Sequence, residues 1–309
     1  MKKIALHKPN CLILGSAKCG TTSLYHYLKQ HPDICFSKPK EPVFFEAEYE
    51  LGMEYYWQTY FAHWAGEQVV GEARQRNMYL PFVAERIAQS VPDAKLIIIL
   101  RNPVERAFSH WLGRYRSGKE SLPFAEAILH DLDRIKQGFN FEGEVGARLW
   151  KDSMVPAGSP KGKANSALFA TYVDSGYYSD QIKRYLKLFN PQQMRILFLD
   201  DLVRDPHAVI QSLFDFLGVD ASFRAHDIEP QNVTAQKPSV RQALFTSDRL
   251  STPQCCAKWR WLLRRLITMK ADNRLRMKRS TQRFLSEHYR PYNLDLENIT
   301  GRSLISWWS

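Results

Sequence analysis

Apolar positions in this chain come in short runs that alternate with amphipathic stretches. The first run, Cys11 to Leu14, reaches Gly15; helical spacing follows from about Thr21 to Gln30, and His31-Pro32-Asp33 breaks it. A short strand is expected at 34 to 36, then the loop SKPKEP and an aromatic-rich helical stretch holding Tyr55, Tyr56, Trp57, Tyr60, Phe61 and Trp64. QVVGEA (68–73) reads as a third strand. AKLIIIL (94–100) reads as a fourth, and its consecutive large aliphatics ask for burial on both faces, the condition of a strand in the middle of a parallel sheet. A helix from about Asp180 to Phe189 precedes the last strand, MRILFLD.

Strands alternating with helices predict an α/β class: a P-loop-like three-layer fold with a central, mainly parallel sheet flanked by helices. The 309 residues suit one domain with a sizeable core, and no repeat or linker divides them. The pattern fails over 138–175, where Gly, Pro, Ser and Lys dominate; this reads as a loop insertion, long enough for a lid.

Charge narrows the class of partner. A formal net charge of +11 points to a polyanionic ligand, an acidic partner or a membrane surface. Residues 257–283 carry ten Lys or Arg against one Asp, interleaved with Trp259, Trp261, Leu262, Leu263, Leu266 and Ile267. This basic helical segment suits an anionic acceptor, an acidic membrane surface, or the solvated face of a helix packed on the domain. Cys11, Cys19, Cys35, Cys255 and Cys256 form no C-x-x-C pair and suit free thiols in a reducing compartment. The apolar runs near the N-terminus are too short and broken for a signal peptide or a spanning helix, so the expectation is a cytoplasmic protein with peripheral membrane contact through 257–283.

Three stretches carry candidate chemistry. LILGSAKCGTTSLYHYL has the strand, turn and helix order of a P-loop, but Thr21 stands where the nucleoside-triphosphate version has lysine, and Lys18 lies two residues before Gly20. The N–H groups of Gly20 to Ser23 open a helix and aim at an anion, while Thr21, Thr22 and Ser23 add hydroxyls and Lys18 a full charge. The displaced lysine, and the lack of a magnesium-holding carboxylate after a second strand, oppose an ordinary ATPase or kinase. In LRNPVERAFSHW, Arg101 sits past the carboxyl end of the fourth strand, where open α/β sheets bind ligands, and Ser109 follows about two helical turns on. That pair suits a second phosphate. Glu41, in a loop between Pro39 and Pro42, is a candidate general base for a hydroxyl or amine. Each has a plain alternative: a ligand-free turn, a strand-end charge, a solvated loop glutamate. His110, beside Ser109, reads as structural.

Together these stretches resemble sulfotransferases that use 3′-phosphoadenosine 5′-phosphosulfate (PAPS), in the glycosaminoglycan, Golgi and related bacterial branch. GSAKCGTTSLYHYLKQHP is similar to their 5′-phosphosulfate loop, which spans Lys18, Cys19, Gly20, Thr21, Thr22 and Ser23; LRNPVERAFSHW resembles their 3′-phosphate motif; KEPVFF resembles the loop of the catalytic glutamate. The likeness covers most of the chain, with 138–170 and 220–280 poorly matched. It implies PAPS as donor, adenosine 3′,5′-bisphosphate as product and no metal. It assigns the bridging oxygen to Lys18, the 3′-phosphate to Arg101 and Ser109, and the base to Glu41. The acceptor would carry a hydroxyl, on a carbohydrate, lipid or small molecule, or, second, an amine; nucleic acid is not expected. A sulfuryl group carries less charge than a phosphoryl group, which accounts for the displaced lysine.

Two departures stand out. Family members of this type often carry a lysine after the third strand's Gly-Glu, where this chain has Arg74 or Arg76 to offer; their cysteine-bracketed loop is absent, leaving Lys237 and Arg241 for that role. The rival readings are a P-loop phosphotransferase and a basic nucleic-acid-binding protein.

Overall fold

The computed structural model describes residues 8–138, 141–153, 170–228 and 275–308. Five strands, β1 (Cys11–Gly15), β2 (Ile34–Phe36), β3 (Val69–Ala73), β4 (Lys95–Leu100) and β5 (Met194–Phe198), form one sheet in the order β2-β3-β1-β4-β5. Every pairing is parallel. Around it run α1 (Thr21–Leu28), α2 (Gly52–Tyr60), α3 (Arg76–Tyr79), α4 (Pro81–Ser90), α5 (Pro103–Arg116), α6 (Phe124–Lys136), α7 (Gly143–Ser153), α8 (Tyr178–Leu186), α9 (Leu199–Arg204), α10 (Pro206–Leu217) and α11 (Arg279–Thr300). The α/β class and the parallel sheet stand as the sequence pattern predicts.

Leu96 to Leu100 are fully buried, because β4 is paired with β1 on one side and β5 on the other while helices cover both faces. From β1 the chain crosses toward β2, and from β4 toward β5. The two connections leave in opposite directions, so a crevice opens at the carboxyl ends of these adjacent strands, the usual ligand site of such sheets. A second apolar cluster, built on Trp111, Phe124, Tyr172, Leu285 and Tyr289, ties α5, α6 and α11 together beside it.

The insertion read over 138–175 is not all loop. Residues 143–153 form α7, and its Trp150 is completely buried, with its ring 5.3 Å from that of Phe141. One tryptophan anchors the helix, while Val145 and Leu149 stay exposed, so the composition hid it. Residues 154–169 and 257–274, with Lys237, Arg241, Cys255 and Cys256, lie outside the described residues; the described end of the basic segment opens α11 at Arg279. Among the described residues no helix is long and apolar enough to cross a membrane.

Two features of β3 generate tests. A methyl group on Gly71 would lie 2.5 Å from the carbonyl oxygen of Cys11, a backbone atom of the neighbouring strand that cannot move aside. Gly71→Ala should therefore cost about 1–3 kcal/mol, a fall of several degrees in melting temperature; an unchanged transition would contradict this packing. Next to it, the buried Glu72 takes hydrogen bonds from the Tyr56 hydroxyl and the Asn77 amide, and burial pushes its pKa up to about 7. A carboxyl raised in the fold contributes stability that is complete below its ordinary value near 4.5 and is lost as pH rises through about 7. The melting temperature of the wild type relative to Glu72→Gln should therefore fall as pH rises from about 4.5 to about 7 and level off above that, and a pH-independent difference would contradict the assignment.

Candidate active site

The turn after β1 is built to receive an anion. Gly20 caps α1 in a left-handed conformation (φ 96°), and among the described residues no side chain caps the N–H groups of the first helical turn. In the same turn, Ser16 Oγ is buried without a hydrogen-bond partner among the described residues. Lys18 is itself left-handed (φ 73°), an uncommon conformation for a non-glycine residue and one that tends to be retained at functional sites. Burial, then the charges of Arg101 and Arg116, holds its ammonium below the usual lysine pKa. Cations held this close gain from an anion between them.

Within this turn the residues divide by role. Thr22 is half-buried at the opening of α1, whereas Thr21 and Ser23 are buried. Cys19 is fully buried: its N–H donates to the Ser16 carbonyl, and its Sγ lies 3.5 Å from the Tyr178 hydroxyl. That hydroxyl donates to the Arg101 carbonyl at 2.9 Å, so Tyr178, on α8, staples the turn after β1 to the end of β4. Sequence reasoning passed over Tyr178 because its role depends on a contact across 77 residues.

Arg101 emerges at the carboxyl end of β4. Its Nε and Nη2 donate to Glu105 at 3.2 and 2.9 Å, an exposed i,i+4 pair that a stronger anion can displace at small cost. Ser109 is buried further along α5, and the structure joins Arg101 to Glu105 and not to Ser109. The first amides of α5 are already capped by Asn102, whose Oδ1 accepts from Val104 and Glu105. An anion here would therefore be held by side chains, unlike one at α1. His110, neighbouring Ser109, packs edge-on against Tyr172. Burial and the charges of Arg106, Arg76, Arg114 and Lys18 push its pKa well below the usual value, leaving a neutral imidazole.

Glu41 is the third piece. It too is left-handed (φ 65°); among the described residues only Lys18, Glu41 and Phe141 are non-glycines with positive φ. Lys40 Nζ lies 2.9 Å from Glu41 Oε1 and 3.2 Å from Thr22 Oγ1. Arg74 Nη1 lies 3.4 Å from the other carboxylate oxygen, Oε2. Arg74, at the end of β3, thus stands at Glu41, whereas Arg76 donates to Thr171 and faces the Trp150 ring at 5.1 Å. The sequence marks Lys40 only as the basic residue before Glu41, with nothing to show its reach to Thr22, and leaves Glu46, to which Arg74 is also paired, as one more acid.

The sulfotransferase domain family matches residues 8–252. A membrane-associated sulfotransferase, kil1, of Dictyostelium discoideum is 25% identical over 74% of this chain, and the bifunctional heparan sulfate N-deacetylase/N-sulfotransferase 3 of Homo sapiens is 26% identical over 97% of it. This chain spans 60% of the first relative's length and 31% of the second's. The crystal structure of a sulfotransferase from Alicyclobacillus acidocaldarius superposes with a TM-score of 0.68 at 28% identity, covering 98% of this chain and all of that one. The fold, the turn after β1 and the extent of the match agree: the chain belongs to the sulfotransferase domain family.

Proposed function

We propose that the protein transfers a sulfuryl group from PAPS to a hydroxyl, or second to an amine, of its acceptor. The observation that carries this reading is the Lys40 bridge: one ammonium touches both Thr22, on the helix that receives the donor, and Glu41. Two motifs read separately from the sequence thereby become one site. The residues fit the donor's chemistry. The uncapped start of α1, the orphan Ser16 hydroxyl and Lys18 suit the 5′-phosphosulfate, and Arg101 with Ser109 suits the 3′-phosphate.

In the step itself the acceptor oxygen attacks sulfur and the bond from sulfur to the bridging oxygen breaks. Adenosine 3′,5′-bisphosphate leaves with that electron pair, and the acceptor proton passes to Glu41. Lys18 stabilises charge building on the bridging oxygen. Held between Lys40 and Arg74, the Glu41 side chain is fixed in place, so that it orients the nucleophile first and takes its proton late. The acceptor class is read from relatives named for heparan sulfate and other carbohydrates, which makes a hydroxyl-bearing saccharide the first to try.

Lys18 and Arg101 should separate in their effects. With radiolabelled PAPS as donor, and desulfated heparan sulfate or water as acceptor, Lys18→Ala should lower turnover more than donor affinity. Arg101→Ala should chiefly weaken binding of adenosine 3′,5′-bisphosphate, by roughly 1.5–3 kcal/mol. Calorimetry showing unchanged affinity in Arg101→Ala would remove that residue from the site. Glu41→Gln keeps the shape but cannot take a proton, so kcat should fall by about 10²–10⁴-fold with bisphosphate affinity intact. Wild-type turnover in a folded Glu41→Gln protein would make Glu41 an ordinary loop residue.

A further inference from the structure

We infer that Arg74, anchored in the core by Glu46, is a positioning residue that fixes the Glu41 carboxylate; this rests on the reading of Glu41 as the base. The guanidinium spans two carboxylates. Its Nη2 pairs with Glu46, whose side chain is completely buried in the turn before α2, and its Nη1 reaches both Oε2 and the backbone carbonyl of Glu41 at 3.4 Å. The far oxygen of Glu46 accepts from Trp150 Nε1 at 2.8 Å. A chain of contacts thus runs from the buried indole of α7, through Glu46 and Arg74, to the carboxylate at the crevice.

Each link has a physical reason. A carboxylate buried as deeply as Glu46 is costly without a cation, and burial does push its pKa up, against the opposing charges of Arg74 and Arg76. Arg74 meets that need with one arm and has the other free for Glu41. A planar fork can serve two acceptors at fixed angles, where the point charge of lysine serves one well. Glu41 needs the support: it sits in a left-handed loop, and its other partner, Lys40, is its own chain neighbour on a flexible stem. The backbone of Arg74 is fixed as well, because its N–H donates to Ile13 of β1 at 3.1 Å.

The test uses the full chain with radiolabelled PAPS, and desulfated heparan sulfate or water as acceptor. Arg74→Met should lower kcat about tenfold or more while adenosine 3′,5′-bisphosphate binds normally, and Arg74→Lys should recover part of the loss. Arg74→Met should cost nothing further in a Glu41→Gln background, since both changes disable one carboxylate. An equal loss in that background would show a merely structural role, and a wild-type kcat in Arg74→Met would overturn the inference outright. If Arg74→Met fails to fold because it strands Glu46, the pair Arg74→Met and Glu46→Gln removes both charges together and is read in the same way. Wild-type turnover in Glu41→Gln would sink the base reading and this inference with it. A crippled Glu41→Gln beside a normal Arg74→Met would sink this inference alone.

Discussion

All five strands run in the same direction, and the site depends on that constraint. In a parallel sheet every loop that follows a strand emerges at one edge. The turn carrying Lys18 follows β1, the loop carrying Glu41 follows β2, Arg74 follows β3 and Arg101 follows β4. Four stretches well separated along the chain are thereby gathered at one edge of the sheet. Tight packing at Gly71 and the fully buried β4 hold the strands in register, so the loops inherit their spacing from the core.

Electrostatics does the rest of the arrangement. The crevice carries Lys18, Lys40, Arg74 and Arg101, but these cations are not alike. Arg74 and Lys40 are matched by Glu41 and Glu46. Lys18 is held below its ordinary pKa by burial and by neighbouring arginines, and the side-chain partner of Arg101 among the described residues is the exposed Glu105. An incoming polyanion therefore gains most on the donor side. This division is what a reaction needs that binds one charged substrate and orients another beside it.

Much of this was legible in the sequence, and the remainder was hidden for identifiable reasons. The strands came through because burial on both faces forces a run such as LIIIL, and β2 was placed residue for residue. Helix ends drifted: α1 stops at Leu28 and α8 at Leu186, two and three residues before the apolar pattern runs out. Helix α7 was lost in a stretch rich in Gly, Lys and Ser because its only deep anchor is Trp150. In the candidate site, Lys18, Arg101 and Glu41 were legible as candidates because each stands at a strand end or in a helix-opening turn. Tyr178 and Glu46 were not, since their contacts join segments distant in sequence, and nothing in their local pattern marks them; of Lys40, the basic residue before Glu41, only the reach to Thr22 was hidden.

The central claim is that this crevice accepts an adenosine carrying separate 5′ and 3′ phosphate groups and not a triphosphate. Titration calorimetry of the full chain with adenosine 3′,5′-bisphosphate, and in parallel with ATP and magnesium, tests it most directly. Saturable binding of the bisphosphate at one site, weakened by Arg101→Ala, is expected, with far weaker binding of ATP and magnesium. Tight binding of ATP with magnesium and none of the bisphosphate would contradict it.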